Sequence, residues 1–196
     1  MNLPNKLSTF RIILIPFMLI FMIPISGADS WNNFLNKYGM FFAVIIFIVA
    51  SLTDFFDGNI ARKRNLVTNL GKFLDPIADK LLVISAFIAF AALGRLTAWV
   101  PIIILFREFI VTGVRTIAAS NGVIVSAKMF GKIKATLQMV VIIALMIEHI
   151  LIVNIGINAF TSTLTLLINV SLVITVIVTI LSGLTYITDN KSVLTE

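Results

Sequence analysis

Four aspartates crowd one short stretch of a chain that has few acids. Asp54, Asp57, Asp75 and Asp79 are among only 9 Asp and Glu in 196 residues. All four lie at or inside the ends of apolar runs. An ionised carboxylate near a bilayer core costs roughly 2.5–3.5 kcal/mol on insertion scales. Protonation, a paired cation or a metal relieves that cost. On helices, Asp54 and Asp57 share a face, and so do Asp75 and Asp79. Gly58, Ala61 and Gly71 stand one turn from an aspartate, and small residues let a helix or a ligand come close. Facing carboxylates form an all-oxygen donor set, which suits Mg²⁺ or Mn²⁺ and not zinc. Four of them can hold two such ions about 3.5–4 Å apart, the arrangement used for phosphoryl displacement. The competing reading makes Arg62, Lys72 and Lys80 helix-end partners of the acids.

These carboxylates must be positioned by the elements of a very apolar chain. Apolar residues make up 59% and charged residues 12%, against about 25% charged in a soluble domain. That excludes a soluble domain, a disordered chain and a secreted scaffold. The absence of cysteine excludes disulfides, thiolate metal sites and cysteine nucleophiles, and the single histidine, His149, excludes a histidine cluster. The length fits one domain over residues 1–196. A span needs roughly 20 residues, leaving room for about six. Apolar runs cover about Leu7–Ile25, Tyr38–Ala61, Gly71–Leu93, Ala98–Ala119, Phe130–Ile150 and Phe160–Ile187. The first is no good signal peptide: it is long, contains Arg11 and lacks a small-x-small exit.

The pattern predicts an all-α integral membrane protein with six transmembrane helices. Met1–Lys6 is expected to form a short N-terminal surface segment. Ser26–Asn33 is expected as a connection, and Thr185–Glu196 as a loosely ordered polar tail. With six spans, thirteen of the 15 basic residues fall on or near the side of the termini, against Lys37 and Arg95 on the other. The positive-inside rule then places both termini in the cytoplasm. The second run ends and the third begins on that side, so the two aspartate pairs meet at similar depth.

The stretch reads Asp54-Phe-Phe-Asp57-Gly58-Asn-Ile-Ala61-Arg62, eight residues, then Gly71-Lys-Phe-Leu-Asp75-Pro-Ile-Ala-Asp79. It resembles the signature of the CDP-alcohol phosphotransferase family at every fixed position. The resemblance implies six transmembrane helices, a homodimer, and two divalent cations, Mg²⁺ or Mn²⁺, held by Asp54, Asp57, Asp75 and Asp79. It implies that Asp79 is also the catalytic general base. Asp54, Asp57, Gly58, Ala61, Arg62 and Gly71 would bind the CDP-linked donor. A hydroxyl would attack the phosphorus next to the alcohol, and CMP would leave.

The signature does not choose the acceptor. Three further stretches resemble the branch that makes phosphatidylglycerophosphate in phosphatidylglycerol and cardiolipin biosynthesis. They are Pro4 to Arg11; Arg107-Glu108-Phe-Ile-Val-Thr112-Gly113-Val-Arg115; and Lys128 with Gly131, Lys132, Lys134 and Thr136. That branch joins CDP-diacylglycerol to sn-glycerol 3-phosphate. A phosphorylated acceptor needs cations that do not titrate, and arginine suits bidentate phosphate contact. Arg115, Lys132, Lys128, Arg107 and Lys134 are the candidates. The competing reading makes the lysines solvated flanks and pairs Arg107 with Glu108. Inositol phosphate, serine or another amino alcohol, and phosphatidylglycerol remain as other acceptors. The resemblance also implies a cell (plasma) membrane protein with its site on the cytoplasmic side. No nucleic-acid partner is expected.

A different class, a divalent-cation transporter, would also use intramembrane carboxylates. It needs acids near the midplane or on both sides, whereas here, among acids inside the apolar runs, Glu148 alone lies at the opposite end. His149 beside it reads as an interfacial polar end, and Trp31 and Trp99 as aromatic-belt anchors. Asn169 and Ser182 are free to hydrogen-bond between helices.

Overall fold

The computed structural model describes the backbone of residues 3–64, 69–122 and 129–191. Side chains are described within these ranges except at 3–4, 54–64, 69–70, 72–73, 75, 129–130 and 155. The described residues are helical with short connections. They form α1 Leu3–Met22, α2 Asp29–Phe34, α3 Met40–Arg64, α4 Asn69–Ala92, α5 Trp99–Ser120, α6 Met129–Ile155 and α7 Ala159–Asp189. A π-helical turn, Leu35–Gly39, joins α2 to α3. Among the described residues, four stretches are long and apolar enough to cross a membrane: Asn5–Met22, Asp29–Thr53, Gly131–Asn154 and Ala159–Asp189. α4 and α5, of 24 and 22 residues, are also long enough for an apolar layer about 30 Å thick. They differ in carrying charges more densely along their length: Lys72, Asp75, Asp79 and Lys80 on α4, and Arg107, Glu108 and Arg115 on α5.

The core is built by helix spacing. α1 buries Asn5, Ser8, Arg11, Ile15, Met18 and Met22, steps of three and four that make one stripe. That stripe packs chiefly on α3 and α4. Phe47, Phe87, Phe90, Leu145 and Met146 fill the centre without solvent exposure. Gly39 is where the π-turn meets α1: a Cβ there would collide with the Phe21 carbonyl oxygen.

α7 is arranged as a membrane helix and not as a water-soluble one. Its buried positions are Thr161, Ile168, Thr175, Thr179, Ser182, Gly183 and Tyr186, while Leu166, Leu167, Val173 and Leu184 are more than half exposed. Small and polar residues face the protein, and apolar ones face outward. Thr163, Ser171, Thr175, Thr179 and Thr185 hydroxyls each donate to the carbonyl four residues back. This satisfies them without water. Asn158 caps α7 in a reciprocal pair with Thr161.

Three expectations change. Leu3–Lys6 form no separate surface segment; they are the first turn of α1, held by the buried face that Asn5 and Ser8 begin. The Ser26–Asn33 connection is partly helical, because α2 starts at Asp29 and Trp31 stacks on Phe34 with ring centroids 5.4 Å apart. The polar tail is ordered to Asp189, since Tyr186 is 3% exposed and packs on α5.

Candidate functional site at the α4, α5 and α6 junction

The aspartate signature falls on the last turns of α3 and the first turns of α4, and the two helices are in contact. Asp54, Asp57, Gly58, Ala61 and Arg62 lie on α3, and Asp75 on α4; their side chains lie outside the described residues. Of the signature, Gly71 is buried and Asp79 half-buried. Arg11 has no solvent exposure and sits on the α1 face that packs against these two helices. A guanidinium so placed requires anionic company to offset its desolvation.

Asp79 lines a small cavity of about 30 Å³ whose other polar residues are Lys80, Glu108, Lys134 and Gln138 and whose remaining walls are apolar. The walls come from α4, α5 and α6. Glu108 is the junction. Its Oε1 accepts from Lys134 Nζ, and from Arg107 Nη1 at 3.1 Å. The side chains are 12% exposed for Glu108, 10% for Arg107 and 6% for Lys134. Arg107 Nη2 also donates to Ser182 Oγ on α7, at 2.6 Å. Lys80 Nζ donates to Thr112 Oγ1, tying α4 to α5. Gln138 Nε2 donates to Thr179 Oγ1 at 3.3 Å, tying α6 to α7.

The five cations expected to meet the acceptor therefore divide. Arg107 and Lys134 come together at Glu108. Arg115, two turns further along α5, donates from Nε to Tyr186 Oη at 3.0 Å and lies over that ring, 5.4 Å from its centroid. Lys132 is exposed on α6. Lys128 lies outside the described residues. Glu108, Tyr186 and Ser182 were not assigned to the site from the sequence. Their signal was faint: a Glu beside an Arg, and two polar residues in an apolar run.

A wider groove of about 590 Å³ opens between α4 and α5. Lys80, Glu108, Thr112 and Thr116 contribute polar atoms, and Ile77, Leu81, Ile84, Leu105 and Phe109 contribute apolar surface. Such a groove suits an amphiphile with a polar end near Lys80 and Thr112 and an apolar body toward lipid.

Outward apolar faces around a buried charged junction define a multi-pass membrane protein, all-helical in its described residues. The chain belongs to the CDP-alcohol phosphatidyltransferase family, whose sequence profile matches residues 1–181. It is 46% identical over 151 residues to the CDP-diacylglycerol–glycerol-3-phosphate 3-phosphatidyltransferase of Bacillus subtilis (strain 168), covering 76% of this chain and 78% of that one. It is 37% identical over 164 residues to the enzyme of that name from Wigglesworthia glossinidia brevipalpis, covering 80% and 84%. The Escherichia coli (strain K12) enzyme of that name is 39% identical over 145 residues, covering 71% and 73%.

Proposed function

We propose that this chain transfers the phosphatidyl group of CDP-diacylglycerol to sn-glycerol 3-phosphate, giving phosphatidylglycerophosphate and CMP. The observation that carries the reading is the cavity in which Asp79 meets Lys134 and Glu108. A hydroxyl acceptor that also bears phosphate needs both a carboxylate and cations within one molecule's reach. The relatives' names, at 37–46% identity over most of both chains, support the same substrates.

The acceptor hydroxyl attacks the phosphorus next to diacylglycerol. A new P–O bond forms, the P–O bond to CMP breaks, and CMP leaves with the electron pair. The hydroxyl proton passes to the Asp79 carboxylate, which acts as general base. Of the five cations proposed for the acceptor phosphate, Arg107 and Lys134 stand together at Glu108, and Arg115, Lys128 and Lys132 extend the basic set around it. Asp54, Asp57, Gly58, Ala61, Arg62 and Gly71 hold the donor, with one acyl chain in the α4–α5 groove.

The donor set fits the divalent ions that the family signature implies: four carboxylates on two contacting helices, all hard oxygen ligands. Asp54, Asp57, Asp75 and Asp79 would hold two Mg²⁺ or Mn²⁺ ions, which neutralise charge on the phosphates when bound. The reading includes six membrane crossings with both termini and the site on the cytoplasmic side of the cell membrane. It also includes a homodimer.

The test is CMP release by purified protein with CDP-diacylglycerol and Mg²⁺ or Mn²⁺. Glycerol 3-phosphate, inositol 1-phosphate, serine and phosphatidylglycerol are each supplied as sole acceptor. Release with glycerol 3-phosphate alone, abolished by EDTA, is the expected result. Release only with another acceptor overturns the substrate assignment, and release with none overturns the reaction.

A further inference from the structure

Two cations, Arg107 and Lys134, are withdrawn from water on neighbouring helices and share one carboxylate oxygen of Glu108. Without that carboxylate, two poorly solvated like charges would repel, and the lysine stem is long enough to carry its ammonium away. With it, the trio keeps one positive charge in excess. α7 completes the hold on the arginine. Ser182 Oγ accepts from Nη2 at 2.6 Å. Gly183 leaves room for the stem, since a Cβ there would lie 3.1 Å from Arg107 Cγ. Arg107 Nε is buried without a hydrogen-bond partner, so the guanidinium has donor capacity that the protein does not use. Lys134 and Glu108 line the cavity that Asp79 lines.

We propose that Glu108 is a positioning residue for the acceptor: it holds Lys134 at the Asp79 cavity, with Arg107 bound to the same carboxylate oxygen behind it, as a pre-arranged receiver for an acceptor phosphate. It thereby favours phosphorylated over uncharged hydroxyl acceptors. This rests on the reaction proposed above and adds to it the device that selects the acceptor. The carboxylate does not touch the reacting atoms. Its work is to fix two cations whose net charge, after pairing, still calls for an anion. Preorganisation of this kind acts on acceptor binding far more than on donor binding, although Glu108 also borders the α4–α5 groove.

The test is steady-state kinetics of Glu108→Gln, which keeps the shape and removes the charge. The KM for glycerol 3-phosphate should rise about tenfold or more, while the KM for CDP-diacylglycerol stays within about twofold. Glu108→Asp should recover part of the acceptor KM. Inorganic phosphate should inhibit the wild type competitively against the acceptor and inhibit Glu108→Gln more weakly. Ser182→Ala, which removes only the α7 contact to Arg107, covers the case in which Glu108→Gln fails to fold. It should raise the acceptor KM by a smaller factor with the donor KM unchanged. Equal rises in both KM values, or lost thermal stability with normal kinetics in the surviving protein, would reduce Glu108 to a structural ion pair. If the wild type itself releases no CMP with glycerol 3-phosphate, the reaction assignment fails. If the wild type is active and both variants keep its acceptor KM, only the role of Glu108 fails.

Discussion

Arg95 grips Glu148 with two hydrogen bonds, Nε to Oε2 and Nη2 to Oε1, each 2.9 Å long. Glu148 is 1% exposed and also accepts from Thr165, while Arg95 Nη1 reaches Asn169 at 3.0 Å. The α4–α5 connection is thus clamped to α6 and α7 at the end of the bundle opposite the aspartates. Replacing Arg95 by Leu leaves a buried carboxylate without its cation, a loss of about 3–5 kcal/mol in comparable sites. The thermal midpoint in detergent should fall clearly. Replacing Arg95 and Glu148 together by leucine should recover much of it. CMP release by the folded fraction should be unchanged in either variant, because neither residue is near the Asp79 cavity.

Asp79→Asn should abolish turnover yet retain CDP-diacylglycerol, since the amide keeps the size of the carboxylate and loses its basicity. A binding assay with radiolabelled donor, run beside the CMP-release assay, checks it. Unchanged release would remove Asp79 as base. EDTA should silence the wild type, and added Mg²⁺ or Mn²⁺ should restore it.

Arg115 is held by Tyr186 through both the hydroxyl and the ring face. Arg115→Ala should raise the KM for glycerol 3-phosphate more than that for the lipid. Tyr186→Phe keeps the ring under the guanidinium and removes the 3.0 Å hydrogen bond, so its effect should be the smaller of the two, about threefold to tenfold. A shift confined to the lipid KM would take Arg115 out of the acceptor site.

Leu81 lines the α4–α5 groove and is 42% exposed. Leu81→Trp fills part of it from a position that faces outward, at little cost to the core. The KM for CDP-diacylglycerol should rise severalfold, and that for glycerol 3-phosphate should stay constant. A donor series of increasing acyl length separates the chain from the head group: the deficit should grow with length.

Much of the architecture could be read from the chain because a membrane protein leaves so few polar residues to place. Long apolar runs must be helical when no water satisfies the backbone, and each expected run corresponds to a helix. The run boundaries moved where local hydrophobicity was a poor guide. Residues 185–189 look polar, yet Tyr186 holds them in α7 through Arg115. Residues 29–33 look like a turn, yet aromatic stacking of Trp31 on Phe34 accompanies a helix there. The aspartate signature was equally plain, because fixed spacing on two helices is a one-dimensional property.

What the tertiary structure decided is who shares whose charge. From the sequence, Arg107, Lys134 and Arg115 form one basic set. In the folded chain Arg107 and Lys134 meet on Glu108, while Arg115 turns to Tyr186. Glu108 and Lys134 are 26 positions apart, and Arg107 and Ser182 are 75 apart. Helical periodicity says which residues share a face of one helix, but not which face of another helix it will meet. That choice follows from packing: Gly183 leaves space for an arginine stem, and small residues on α7 let α5 approach. Sequence alone therefore determined the helices, the carboxylates and the class of chemistry. Tertiary packing decided which buried cations acquired a partner and which donor, Arg107 Nε, was left without one.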